Sequence, residues 1–271
     1  MARINLCLGF LIILFLFGSS CIKSDFSPND AYIIGHGGMG ISSMYPMNSL
    51  ESFIKAMNEG ADGVEIDVQM TKDGVLVAYH DEVLDDRSTA KGLIENYTWE
   101  ELKIHKYTNY PYLDYSIVRL EDVLEEIKIF KPIIILDIKK TYRDEEYYQS
   151  LFYRELSKFL INYKGYIQFI VESKNAKWLR CLKNDNEDII TLLYGLEFEK
   201  TKEEMYTYSL DGLALEWKTL EKVNKEEIKN AEYVISTFNL HSLEQNKKAL
   251  KRNIPYLQTE NIKGLKQILN R

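Results

Sequence analysis

The sequence predicts an α/β fold in which strands and helices alternate around a parallel sheet, with enough strands to close a (β/α)8 barrel. Three observations carry that expectation. Short β-branched runs alternate with amphipathic stretches from Ala31 onward. Candidate strands number nine along the chain. The 271 residues, 45% hydrophobic and 28% charged, hold enough apolar material for one barrel domain, which needs roughly 250 residues.

In chain order, the apolar run Tyr32-Ile33-Ile34-Gly35 is the first strand, and the amphipathic segment 49–59 is the helix after it. Gly63-Val64-Glu65-Ile66-Asp67-Val68 alternates acidic and apolar residues at the period of a strand. It runs into Gln69-Met70-Thr71-Lys72-Asp73-Gly74, a turn sequence, and a strand follows at 75–79. Residues 82–117 are tyrosine-rich and offer no strand of the main sheet, so they form a small excursion after the second barrel strand region. Regular alternation resumes with helix 120–129 and strand 133–138, whose Ile133-Ile134-Ile135-Leu136 is continuously apolar, as in a strand buried on both faces. Helices at 145–162, 176–183, 225–230, 242–251 and 262–270 interleave with strands at 167–171, 189–193, 212–215, 233–236 and 256–258.

The N-terminus departs from this pattern. Arg3 precedes an apolar run from Leu6 to Phe17, and Gly18, Ser19, Ser20 and Cys21 follow, which is the pattern of a signal peptide. The run of about 12 residues is shorter than the roughly 20 needed to cross a hydrocarbon core, so export is favoured over a permanent transmembrane anchor. Small residues before Cys21 and the polar stretch after it resemble the cleavage and acylation site of a bacterial lipoprotein, although Gly18 stands where such sites carry leucine. The expected division is a signal at 1–20, a linker at 21–30 opening on an acylated Cys21, and the barrel at 31–271. An exported protein on the periplasmic or cell-surface side of a membrane follows, with simple secretion as the alternative.

Cleavage would remove Cys7 and leave Cys21 and Cys181, too few for a disulfide framework. Cys181 falls in a helical stretch and reads as a packed structural thiol. The net charge of −7, or −8 once Arg3 is lost with the signal, leaves no basic surplus to neutralise a nucleic-acid backbone.

Glu65 and Asp67 share one face of their strand near its C-terminal end, where barrel active sites lie. Like charges so placed either face water from an edge strand or hold a hard cation such as magnesium or calcium. Asp137 and Lys139 share a face at the end of the apolar run 133–136, either as a buried ion pair or as a third ligand beside a phosphate-facing ammonium. His36 ends strand 32–35 and His80 ends strand 75–79, which suits proton transfer near neutral pH. His105, in a charged segment, and His241, at a helix start, read as surface or capping residues.

These residues lie within His36-Gly37-Gly38, Asn48-Ser49-Leu50-Glu51-Ser52-Phe53, the unbroken run from Gly60 to Gly74, and His80-Asp81. Together they resemble the glycerophosphodiester phosphodiesterase family, with fainter similarity through 98–102, 120–124, the Asp137 strand and Gln258-Thr259-Glu260. The resemblance implies a TIM barrel with a divalent cation, calcium or magnesium, on Glu65, Asp67 and Asp137, with His36 and His80 as acid and base and Lys139 near the phosphate. It implies hydrolysis of a small-molecule glycerophosphodiester to glycerol phosphate and an alcohol. Gly37 stands where the family has a phosphate-contacting arginine, which leaves Lys139 or Arg87 to compensate. Met47 replaces a usual glutamate, Asp137 is one methylene shorter than the usual glutamate, and Ser236 occupies the place of a frequent tryptophan. Hydrolysis of another lipid or glycan phosphodiester, or a non-catalytic binding lipoprotein on a degenerate barrel, are the alternatives.

Overall fold

A computed structural model describes residues 30–143 and 145–271. The expected signal segment and Cys21 lie outside the described residues. Eight parallel strands close a barrel: β1 (Tyr32–Gly35), β2 (Gly63–Met70), β5 (Ile133–Ile138), β6 (Gln168–Ser173), β7 (Ile190–Gly195), β8 (Gly212–Glu216), β9 (Val234–Leu240) and β10 (Tyr256–Thr259). Pairing of β1 with both β10 and β2 completes the ring. Around it lie α1 (Leu50–Asn58), α3 (Leu120–Ile127), α4 (Glu146–Tyr163), α5 (Ala176–Asp185), α6 (Phe198–Thr207), α7 (Trp217–Leu220), α8 (Lys225–Lys229), α9 (Leu243–Leu250) and α10 (Ile262–Ile268).

Side-chain alternation builds two apolar layers. Ile34, Ile135, Ile170, Leu192, Ala214 and Tyr256 fill the barrel interior. Their sequence neighbours Ile33, Ile134, Leu136, Val171, Leu213 and Leu257 face outward into the larger core beneath the helices. Above the inner layer, at the C-terminal strand ends, the inward positions turn polar, and this change in side-chain chemistry marks the site.

The strand expected at 75–79 is not a barrel strand. β3 (Leu76–Ala78) turns back antiparallel on β2, with Val68 opposite Ala78 and Met70 opposite Leu76. Thr71 and Asp73 close this hairpin: the Thr71 hydroxyl donates to the Asp73 carboxylate at 2.6 Å and accepts from the Val75 N–H at 2.9 Å. The excursion then adds α2 (Trp99–Leu102) and β4 (Val118–Arg119), neither of which the sequence reading anticipated. Val77, Tyr79, Leu84, Ala90, Ile94, Leu102, Tyr107 and Ile117 give it a core of its own. Cys181 corrects a second expectation, because the phase of α5 turns Leu179 and Leu182 inward and leaves the thiol exposed.

Candidate active site

Three adjacent strands deliver four carboxylates to the C-terminal end of the barrel. The β2–β5 register sets Asp67 opposite Asp137, and the β5–β6 register sets Asp137 opposite Glu172, with Glu65 on the same face of β2. One oxygen each from Glu65, Asp137 and Glu172 lie within 4.8 Å of one another. Glu65 is 2% exposed and Glu172 4%.

Burial, with Asp67 next in weight, pushes the Glu65 carboxyl well above the ordinary carboxylate range. Burial and then Asp137 push Glu172 up to about 8. Asp137 is also raised, chiefly by burial. Asp67 goes the other way: burial opposes its charge, but the Lys139 ammonium and His80 hold it at about 2. Lys139 bonds Asp67 and Asp137 together, and despite burial their charges keep it protonated. Glu65, Asp137 and Glu172 thus form an all-oxygen donor set, two of its members buried and Asp137 half-buried, whose mutual repulsion a divalent cation would relieve, and these residues fit magnesium or calcium.

The loop after β1 secures β2. Gly37 has a φ of 52°, which aims its N–H at Glu65 Oε2, 2.8 Å away. A Cβ there would meet Met47 Cε at 2.6 Å, so Gly37 and Met47 fit as a pair. Asn48, fully buried with a φ of 63°, clamps Asp67 twice: its amide donates to the carboxylate at 2.5 Å and its carbonyl accepts from the Asp67 N–H at 3.0 Å.

Each histidine at the cleft has a carboxylate at Nδ1. His36 Nδ1 lies 3.5 Å from Glu260, whose side chain is 4% exposed and also meets His241 Nδ1 at 3.1 Å. His80 arrives by the β2–β3 hairpin, anchored where the Tyr79 N–H donates to the Asp67 carbonyl at 3.0 Å. Its Nδ1 is 2.8 Å from Asp81, and that hydrogen bond, with the charge of Asp67 behind it, raises the imidazole above its ordinary 6.5. His105 lies apart in the excursion, bonded to Thr89 at 2.9 Å.

All of the residues expected at the site except Arg87 line one cleft of about 1170 Å³. Arg87 pairs with Asp81 at 2.8 Å and faces a smaller chamber of about 40 Å³ on the far side of His80. Lys139, by contrast, lies among the acids. Four residues without an assigned role in the sequence reading belong here: Glu172, Asn48, Glu260 and Gln258, whose amide donates to Glu172 at 3.1 Å and to Ser236 at 3.0 Å. Glu172 had a signal, since it ends an apolar run as Asp137 does, but the strand expected at 167–171 stopped one residue short of it.

Such a cleft can hold a hard cation, an anionic oxygen near Lys139, and two imidazoles for proton transfer. The model of the glycerophosphoryl diester phosphodiesterase family matches residues 39–212. A glycerophosphodiester phosphodiesterase of Bacillus altitudinis is 44% identical over 89 residues, 32% of this chain and 36% of that protein. One from Caldanaerobacter subterraneus is 45% identical over 71 residues, 26% of this chain and 28% of its own. The chain therefore spans about a third of the length of the curated relatives it matches. Among solved structures, a phosphodiesterase of Oleispira antarctica in complex with the product sn-glycerol-3-phosphate superposes with a TM-score of 0.77 at 20% identity, covering 89% of this chain and 97% of that one. A glycerophosphodiester phosphodiesterase of Thermotoga maritima gives a TM-score of 0.68 at 23% identity, covering 88% and 98%.

Proposed function

The chain belongs to the glycerophosphoryl diester phosphodiesterase family, and from that premise we propose that it hydrolyses a glycerophosphodiester to glycerol phosphate and an alcohol. The observation that carries the reading is the convergence of buried Glu65 and Glu172 with half-buried Asp137, and Asp67 beside them, between two carboxylate-backed histidines. Glu65, Asp137 and Glu172 would hold a divalent cation, which supplies Lewis-acid polarisation of a phosphoryl oxygen when bound. Lys139 presents its ammonium to the phosphate, and Asn48 keeps Asp67 turned toward that lysine.

His80, whose protonated form Asp81 stabilises, is the acid, and His36, backed by Glu260, is the base. As the oxygen of an attacking water bonds to phosphorus, His36 takes a proton from that water; as the opposite P–O bond breaks, His80 gives its proton to the departing alcohol, leaving glycerol phosphate. The volume of the cleft, about 1170 Å³, also supports a second reading in which the diester is a larger lipid or glycan phosphodiester. Export by residues 1–20 and acylation of Cys21 complete the proposal and are checked by metabolic labelling with a fatty acid, against a Cys21→Ala control.

Release of glycerol phosphate by the purified full chain tests the chemistry. Activity is expected to vanish with a chelator and return with magnesium or calcium, and His36→Ala and His80→Ala should each lower the rate roughly 10²- to 10⁴-fold. Hydrolysis that persists under chelation, or in both variants, would defeat this assignment.

A further inference from the structure

The C-terminal mouth of the barrel carries apolar surface that neither the cleft nor the cores use. Ile41 is 56% exposed and Met44 82% in the loop between β1 and α1, while Tyr110 is 88% and Leu113 52% exposed in the excursion. The two segments form one surface. The Tyr112 hydroxyl donates to the Ser43 carbonyl at 2.7 Å, Tyr115 packs edge-on against both Tyr45 and Tyr112, and Ile41 and Tyr112 line the same small chamber beside His80. Large apolar side chains gathered in this way mark an interaction surface, whereas single exposed ones do not.

Farther round the same mouth, among acids that include Glu204 and Glu216, stand three exposed lysines. Lys140 follows β5, Lys174 follows β6, and Lys177 lies in the first turn of α5; all three are exposed and line the cleft. Among the described residues none of the three meets a carboxylate, whereas Lys218 on that rim is paired with Glu216 at 2.7 Å. Two of them rest on aromatic faces, Lys140 at 4.5 Å from the Tyr142 ring centre and Lys174 at 4.7 Å from that of Tyr194. In a chain of net charge −7, three lysines without a carboxylate partner among the described residues stand together at one end.

We propose that this end of the barrel rests on the surface of an anionic lipid bilayer. Met44, Tyr110, Leu113 and Ile41 would enter the headgroup layer, while Lys140, Lys174 and Lys177 face anionic headgroups. Apolar tips with tyrosines on one side and long-stemmed cations on the other are the two attractions a bilayer surface offers. The docking is independent of which diester is cleaved; it directs the mouth of the cleft at whatever the membrane presents.

The test compares the full chain with its Met44→Glu/Tyr110→Glu variant on phosphatidylcholine vesicles with and without phosphatidylglycerol, so that residues 1–29 contribute equally to both. Amide hydrogen exchange over 41–46 and 108–115 should slow on the phosphatidylglycerol vesicles. Partitioning of the variant should fall roughly tenfold, because two glutamates replace buried apolar area. Lys174→Glu/Lys177→Glu should lose the preference for phosphatidylglycerol. Hydrolysis of a soluble glycerophosphodiester should be unchanged in Met44→Glu/Tyr110→Glu, so an inactive parent protein would count against the catalytic reading alone. Unaltered exchange over both segments on vesicles would overturn the docking, as would protection that follows protein concentration without lipid, which would mean that a second copy covers this face.

Discussion

Gln258 shows how much of the site depends on residues that would touch neither cation nor phosphate. Its amide holds Glu172 against β10 and Ser236, so Gln258→Ala should weaken divalent-metal affinity roughly 10- to 100-fold while leaving the fold intact, as read by metal titration and circular dichroism. Asp81 acts on His80 in the same manner. Because its hydrogen bond raises the imidazole above 6.5, Asp81→Asn should move the His80 limb of the pH–rate profile to lower pH. The stability this pair contributes is complete below the ordinary imidazole value and fades as pH rises through the raised folded value. His36, His80, Glu65, Asp67, Asp137 and Lys139 were legible as cleft residues because each ends a strand or shares its face, which local alternation reveals. Asp67, however, expected as a cation ligand, is paired with Lys139, and Glu172 stands with Glu65 and Asp137 in its stead. Glu172 depends on the β5–β6 register, and Glu260 on the side chain of a distant His36, so both needed the closed barrel to be recognised.

At the scale of elements, caps and hairpins decide where the strands can place these groups. Ser242 and Gln245 form a capping box at α9, the helix that leads into β10 and Glu260. Ser242→Ala should cost about 1 kcal/mol of stability, measured by denaturant unfolding, with little change in the hydrolytic rate. The β2–β3 hairpin is the element least legible in advance. Val75-Leu76-Val77-Ala78-Tyr79 has the composition of a buried strand whether it joins a parallel barrel or folds back on its neighbour, and periodicity does not distinguish the two. The excursion hid α2 and β4 for a related reason: they are four and two residues long, too short to display a period.

For the whole molecule, the eight barrel strands were all anticipated, since alternating buried runs and amphipathic helices follow from the two-layer packing itself. The outer layer is the larger of the two apolar layers. Leu124, fully buried in α3, should cost about 2–5 kcal/mol when replaced by alanine, seen as a lowered unfolding midpoint, while the activity of the folded fraction persists. The ring is nonetheless uneven. β2 meets β5 over six register pairs but meets β1 over two, Ile34 with Gly63 and Gly35 with Val64. That thin seam passes between the strand ending at His36 and the strand bearing Glu65, and the Gly37 N–H to Glu65 bond crosses it. Under mechanical load, rupture would begin along this line, so the first tear in the barrel wall would also part His36 from Glu65 and the acids beside it.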